Sequence, residues 1–127
     1  MTDEELIAGF HALFDNFPEP VMITQKSRVM IAVNKKAAQF GLVPGNRCAD
    51  LGKPEQHEGC RLNIAADTGK PVSISYDGPF GRAYGYWVPV DGRPDWMLHF
   101  GVGATFAYEH VSTGAQKAIR LVDKHVD

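Results

Sequence analysis

The second half of the chain contains three consecutive segments with the pattern of β-strands, separated by short turns. Residues 71–77, PVSISYD, alternate apolar and polar side chains, the period of two that places one face of a strand against a core. Residues 82–90 and 95–104 are rich in β-branched and aromatic side chains and are joined by the turn sequence DGRP. Strands connected by turns this short pair antiparallel. The fold is therefore predicted to contain an antiparallel meander, whose last strand is apolar on both faces and so covered on both sides.

The first half of the chain predicts a hairpin followed by a short helix. VMIT at 21–24 and RVMIAVN at 28–34 are β-branched runs on either side of the turn-like sequence QKS. Asn34 closes the second run and can cap the helix that follows, and Gly41 stops that helix. Two strands and a helix thus precede the meander.

A further helix is predicted between these elements and the meander, over residues 58–68. Its apolar residues recur at helical spacing, and Gly69 is its C-terminal stop. The side chains expected to face inward are Leu62, Ile64 and Ala65.

Amphipathic segments lie at both ends of the chain. Thr2 and Glu5 have the spacing of a capping box, which predicts a leading helix that ends before Pro18. Residues 106–127 return to helical spacing and predict a trailing helix. An apolar stripe on a helix must be buried on the domain's own sheet or on the same helix of another chain. We therefore expect a homodimer through the terminal helices, and the leading stripe comprises Leu6, Phe10, Leu13 and Phe17.

The order of these segments resembles that of a PAS domain. The run FPEPVMITQKSRVMIAVNKKAAQFG at 17–41 is similar to the opening of that family, and TGKPVSISYDG at 68–78 with the two strands after it is similar to its second half. The resemblance implies an α+β fold: a five-stranded antiparallel sheet in the order 2-1-5-4-3, with helices closing a pocket over one face. It divides the chain into an N-terminal helix at 1–17, a sensory domain at 18–105 and a C-terminal signalling or linker helix at 106–127.

The resemblance also implies a function, a sensory domain of a bacterial signalling protein that binds a small ligand or cofactor and acts on a downstream output domain. Apolar walls with a few polar tips suit a small organic ligand. The same side chains would equally fill a dry core, so a ligand-free protein-interaction module is an alternative. Strand parity alone does not choose the sheet face that lines a pocket. The candidate ligand-binding residues are Tyr84, Tyr86, Trp87, His99 and Phe100.

Both cysteines of the chain lie in the stretch GNRCADLGKPEQHEGCRL at 45–62. Thiolate and imidazole are the ligands that zinc and iron–sulfur clusters prefer, so Cys48, His57 and Cys60 are candidate metal ligands. The stretch resembles PAS-like domains that carry one cysteine after the first helices and a Cys-x-x-Cys before the long helix, with His57 in place of one cysteine. A metal or iron–sulfur redox sensor is therefore another alternative. Because only three of four ligands are visible, a reversible disulfide and two free thiols also stay open.

Several other functions are disfavoured by charge and motifs. The net charge of -2 comes with no basic stripe, which argues against nucleic acid as a partner. The start MTDEELIAGF lacks the features of a signal peptide, and no apolar run reaches the ~18 residues that a membrane span needs, so a cytoplasmic protein is expected. Paired carboxylates, a phosphate-binding glycine loop and a nucleophile elbow are all missing, which predicts that the chain is not an enzyme.

Two cofactors are also disfavoured. Haem would need an axial histidine along the long helix or on the strand that faces it, and His57 stands only at the predicted helix start. The asparagine and glutamine pairs that hold a flavin ring on the later strands are missing. The cofactor therefore remains open among a small organic molecule, a metal or none.

Overall fold

The structure is a computed structural model that describes residues 1–50, 59–78, 81–103 and 124–126. The chain forms an antiparallel sheet with helices packed on both faces, and the predicted α+β class is confirmed. The elements in chain order are α1 (Asp3–Phe14), β1 (Val21–Gln25), β2 (Met30–Val33), α2 (Lys35–Gln39), a 3-10 turn (Cys48–Asp50), α3 (Leu62–Thr68), β3 (Val72–Gly78), β4 (Gly81–Val90), β5 (Arg93–Val102) and β6 (Lys124–Val126).

The order of the strands is β2-β1-β5-β4-β3-β6, and every neighbouring pair is antiparallel. The predicted order of the first five strands is confirmed. A sixth strand, Lys124–Val126, pairs with β3 where the trailing helix was expected to continue. The helical prediction is wrong for these three residues, and the stretch 104–123 lies outside the described residues.

The two faces of the sheet carry different helices. Side chains along a strand point alternately to opposite faces, so each face is lined by every second residue. One face, here called the outer face, holds Ile23, Trp96 and Phe10 of α1 in one apolar cluster. The other, the inner face, holds Trp87 and Met97 in a cluster with two residues of α3. The central strand β5 is thus covered on both sides, as its apolar sequence predicts.

Helix α1 begins and ends for local reasons. The Thr2 hydroxyl accepts a hydrogen bond from Glu5 N at 3.1 Å, and the Glu5 carboxylate accepts one from Thr2 N at 2.8 Å, so the predicted capping box is confirmed. The helix ends at Phe14, before the predicted Phe17. Phe10 is 4% exposed against the sheet, whereas Leu13 is 77% exposed, so the predicted apolar stripe is only partly buried in the domain.

Asn34 joins three elements from a fully buried position. Its Oδ1 accepts hydrogen bonds from Ala37 N at 2.9 Å, which caps α2 as predicted, and from Val21 N at the start of β1 at 3.0 Å. Its Nδ2 donates to the Phe14 carbonyl at 2.9 Å and to the Glu19 carbonyl at 3.0 Å. One side chain thus fixes the end of α1, the start of β1 and the start of α2.

Glu19 also reaches the far end of β5. Its Oε1 accepts a hydrogen bond from Gly103 N at 2.5 Å. Gly103 has a φ of +92°, and a Cβ there would stand 3.1 Å from the carbonyl oxygen of Arg82. Glycine is therefore required at this position, where the chain leaves β5 and turns close to the β4 backbone.

Helix α3 covers the inner face. It starts at Leu62, four residues later than predicted, and ends at Gly69, whose φ of +67° is the left-handed C-cap that the sequence predicts. Leu62 and Ala65 are buried as expected. Ile64 is 46% exposed, so the prediction that it faces inward is wrong. A helix this short turns only two of its apolar residues toward the sheet.

Two side-chain contacts tie α3 to the turn between β1 and β2. Lys26 Nζ lies 2.7 Å from Asp67 Oδ1, and this contact raises the Lys26 pKa. Arg28 donates to Asn63 Oδ1 at 3.0 Å and to the Lys26 carbonyl at 2.6 Å. Helix α3 is thereby tied near both of its ends to the turn between β1 and β2.

Candidate functional site

Methionines line much of the inner face. Met22 and His99 are register partners on β1 and β5, and Met30 and Met97 both pair with Thr24 from either side. All three methionines are at most 9% exposed. Methionine is flexible and polarisable, and it adapts to ligands of irregular shape. The inner face is therefore lined by side chains that can adapt their conformation to a ligand.

Thr24 places a polar atom among these methionines. Its side chain is 0% exposed, and its Oγ1 has no hydrogen-bond partner among the described residues. A buried hydroxyl without a partner costs on the order of 1–3 kcal/mol. Such a group in a folded protein calls for an explanation, and a ligand that supplies the missing partner is one.

A second unpaired polar atom belongs to Arg61, the residue before α3. Arg61 Nε is buried and has no hydrogen-bond partner among the described residues. Arg61 directly precedes Leu62, which lies in the same buried cluster as Met97, the β5 partner of Thr24. Thr24 and Arg61 are therefore each next to a member of the cluster that α3 forms on the inner face, Thr24 by strand pairing and Arg61 by chain connection.

Trp87 and His99 form a stacked pair on the inner face. Their ring centroids lie 4.7 Å apart with an interplanar angle of 11°. His99 Nδ1 lies 2.9 Å from the Tyr86 carbonyl oxygen, which holds the ring in place. Trp87 is 5% exposed and packs in the α3 cluster. These two predicted ligand-binding residues are together, on the face that α3 closes.

The other three predicted ligand-binding residues lie on the outer face. Tyr86 and Phe100 stack at 5.2 Å, and Phe17 makes an edge contact with Phe100 at 6.3 Å. Tyr84 follows the same strand parity and is 39% exposed. One site therefore cannot contain all five residues, because β4 and β5 turn them to opposite faces. The prediction that any of them binds a ligand stays a prediction.

The cysteine stretch is described only at its ends. Cys48 is half-buried in the 3-10 turn and packs beside Met22 and Met30, and its N–H donates to the Arg28 carbonyl at 2.8 Å. Cys60 is exposed, and His57 lies outside the described residues.

Burial is the main cause that raises the pKa of the Cys48 thiol, and the nearby Cys60 adds to it, against the lowering effect of Arg28. Cys48 is therefore a protonated thiol at neutral pH. Within the described ranges, no group of three or more histidine, cysteine or acidic side chains is arranged to hold a metal. Since His57 is outside those ranges, the predicted metal site stays a prediction.

A groove of about 290 Å³ runs along the outer face between α1 and the strands β4 and β5. Gly9 lies on its α1 side, where an added Cβ would meet nothing within 4 Å. The highly exposed Leu13 stands one helical turn further on. The apolar lining of the groove includes Leu6, Phe10, Leu13, Ile23, Val88 and Leu98.

Comparison with known proteins supports the fold. No protein-family model matches the chain, and a search of curated proteins found no match. Among solved structures, the chain is similar to the crystal structure of the phage VqmA–DPO complex, with a TM-score of 0.65 and 17% sequence identity. The likeness covers 86% of this chain and 57% of that one. The chain thus has a PAS-like α+β fold and spans little more than half the length of this neighbour.

The helices give one further finding. Within the described ranges, none of them has the length and apolar character needed to cross a bilayer.

Proposed function

We propose that the chain is a PAS-like sensory domain of a cytoplasmic bacterial signalling protein, and that it binds a small organic molecule on the inner face without transforming it. The observation that carries this proposal is the buried, unpaired hydroxyl of Thr24 among methionines that pack with α2 and α3. A ligand that accepts from or donates to this hydroxyl removes the cost of burying it alone. The structural neighbour, a complex of phage VqmA with DPO, supports a ligand-binding role for a fold of this kind.

Signalling in this proposal starts at the inner face and leaves through β5. Met22 and Met97 lie on β1 and β5, so a ligand against them acts on the strands that Glu19 and Gly103 connect at the exit of the sheet. A ligand that changes the position of α3 also changes the tethers at Lys26 and Arg28. The downstream partner is an output domain.

The four methionines allow a direct test of the ligand site by NMR. With the methionine methyl groups labelled with ¹³C, addition of a library of small organic molecules is expected to shift the signals of Met22, Met30 and Met97. Met1 is 84% exposed next to the outer-face groove and serves as the internal control, because an inner-face ligand leaves it unchanged. Single Met→Leu variants assign the signals, since this exchange roughly conserves side-chain volume.

Two outcomes of the NMR experiment contradict the proposal. If no compound moves any of the three inner-face methyl signals, the inner face is a dry core and the domain is a ligand-free interaction module. If compounds move Met1 alone, the outer-face groove is the binding site instead.

We also propose that two copies of the chain associate through α1, with Leu13 of each copy packing into the groove of the other. The observation behind this is an exposed leucine beside an unfilled apolar groove, with Gly9 leaving space one turn away. A buried leucine contributes ~1.5–3 kcal/mol, so we expect Leu13→Glu to weaken the dimer at least about tenfold. Sedimentation equilibrium over a range of protein concentrations measures this.

The matched control for the dimer is Val43→Glu, which places the same charge at another exposed apolar residue, 50% exposed and not part of the groove lining. This variant is expected to dimerise like the wild type. A wild type that is monomeric at every concentration, or equal effects of the two variants, contradicts the role of α1. Leu13 is 77% exposed in the single chain, so Leu13→Glu is not expected to unfold the domain. A weaker dimer can therefore be assigned to the lost contact between copies.

A further inference from the structure

Arg61 differs from the other described arginines in its surroundings. Arg47, Arg82 and Arg93 each lie within 4 Å of an aspartate oxygen, and Arg28 donates to an amide and a carbonyl oxygen. Within the described ranges, no ion pair contains Arg61, and its Nε is buried without a hydrogen-bond partner. A guanidinium keeps its charge at every pH that proteins experience. Arg61 therefore places a buried donor at the start of α3 from which no described residue accepts.

The acidic residues of α3 do not supply that acceptor. Asp67 is the only carboxylate in Leu62–Thr68, and its Oδ1 is 2.7 Å from Lys26 Nζ. Arg61 is half-buried, and its Nε is the buried part. A buried donor without a partner costs free energy, so a ligand oxygen that accepts from Nε would stabilise this position. Nε and the neighbouring guanidinium nitrogens form a planar set of donors that matches a carboxylate.

The Thr24 hydroxyl provides a second donor for the same group. It is fully buried and unpaired, and its register partner Met97 shares a cluster with Leu62, the neighbour of Arg61 in the chain. The bond from Arg28 to Asn63 draws the start of α3 toward the β1–β2 turn, which follows Thr24. Two unpaired donors, one charged and one neutral, therefore border one apolar wall.

We propose that the inner face binds a small organic monocarboxylate, whose carboxylate accepts hydrogen bonds from Arg61 and Thr24 and whose apolar body lies against the inner-face methionines. This inference rests on the proposed function and adds the chemical class of the ligand. The wall of Met22, Met30 and Met97 matches an aliphatic or aromatic body. The body is small, because α3 already packs closely on this face.

The test uses benzoate, phenylacetate and hexanoate as probes, each beside its own amide, with the full chain and the labelled methionines described above. A charge-assisted hydrogen bond is stronger than a neutral one by about a factor of ten in affinity. We therefore expect at least one of the acids to bind at least about tenfold more tightly than its amide and to shift the inner-face methyl signals. Isothermal titration calorimetry supplies the dissociation constants.

Two substitutions separate a role in binding from a role in folding. Arg61→Gln is expected to weaken binding of the acid at least about tenfold and to leave amide binding unchanged. Thr24→Val is expected to weaken acid binding and, without ligand, to raise the melting temperature, because it removes an unpaired buried hydroxyl at nearly constant shape. A purely structural threonine would lower the melting temperature instead. Arg82→Gln, an exposed arginine paired with Asp77, is the control and is expected to bind the acid like the wild type.

Several results overturn the carboxylate proposal. These are failure of all three acids to bind, equal affinity for acid and amide, or unchanged acid binding by Arg61→Gln. If neutral library compounds still move Met22, Met30 and Met97, the sensory function stands and only the ligand class is wrong. If no compound of either kind moves these signals, both proposals are wrong.

Discussion

Asn34→Ala is expected to lower the free energy of unfolding by about 3 kcal/mol or more, the largest effect of any single substitution considered for this chain. The side chain is fully buried and accepts from Val21 N and Ala37 N while it donates to carbonyl oxygens of the α1–β1 connection. Alanine removes the α2 cap, worth ~1 kcal/mol, and leaves several buried backbone groups without a partner at a further ~1–3 kcal/mol. Urea denaturation followed by circular dichroism measures the change.

The control for this substitution is Asn46→Ala. Asn46 is exposed, and the bonds recorded for it use its backbone, so its replacement is expected to change stability by less than about 0.5 kcal/mol. Asn34→Asp separates the two halves of the interaction, because it keeps the acceptor and loses the donor. If Asn34→Ala unfolds at the same urea concentration as the wild type, the three elements are held together by something other than this side chain.

Leu62→Ala is expected to lower the free energy of unfolding by about 2–4 kcal/mol. Leu62 is 1% exposed and packs in the cluster that contains Trp87 and Met97, so the substitution leaves a cavity between α3 and the sheet. Part of the cost comes from lost transfer free energy and part from that cavity. Differential scanning calorimetry measures the change in stability.

The comparison for Leu62 lies on the same helix. Ile64→Ala removes an apolar side chain that is 46% exposed, and it is expected to cost less than about 1 kcal/mol. Equal losses in the two variants would mean that α3 packs on the sheet in a different rotation. A larger loss at Ile64 than at Leu62 would reverse the assignment of the inward side of α3.

Local pattern was enough to predict the hairpin, the meander and the helix caps. Thr2 with Glu5, Asn34 before α2 and Gly69 after α3 each act through atoms within a few residues, so their sequence spacing contains the whole interaction. The strand order needed more, because pairing of β1 with β5 joins residues some 75 positions apart. It followed from the resemblance to PAS domains rather than from periodicity.

The rotation of the helices was beyond the sequence pattern. Leu13 and Ile64 have the apolar character and spacing of inward residues, yet they are 77% and 46% exposed. Helical spacing predicts which residues form an apolar stripe on a helix. How many of those residues are buried depends on the tertiary contacts that the helix makes. α1 ends at Phe14 and α3 begins at Leu62, so both helices are shorter than their apolar patterns predict. Fewer of their apolar residues therefore contact the sheet.

The candidate site was predicted only in part, for a different reason. The alternation of β4 already separates Tyr84 and Tyr86 from Trp87, and that signal would have divided the five candidate residues between the two faces. Thr24 and Arg61 were missed because a threonine in an apolar strand and an arginine before a helix are ordinary in sequence. Their significance lies in burial without a partner, which only coordinates reveal.

The hydrogen bond between Glu19 and Gly103 holds the entry to the five-stranded sheet next to its exit. Residue 19 stands just before the first strand and residue 103 just after β5, so the points at which the polypeptide enters and leaves the five-stranded unit are side by side. Adjacent ends favour circular permutation and insertion into another protein. A short linker that joins these two positions, with new ends opened in the exposed turn at Asp91 and Gly92, should yield a permuted sheet when α1 is supplied as a separate segment, because Phe10 of α1 is buried on the outer face.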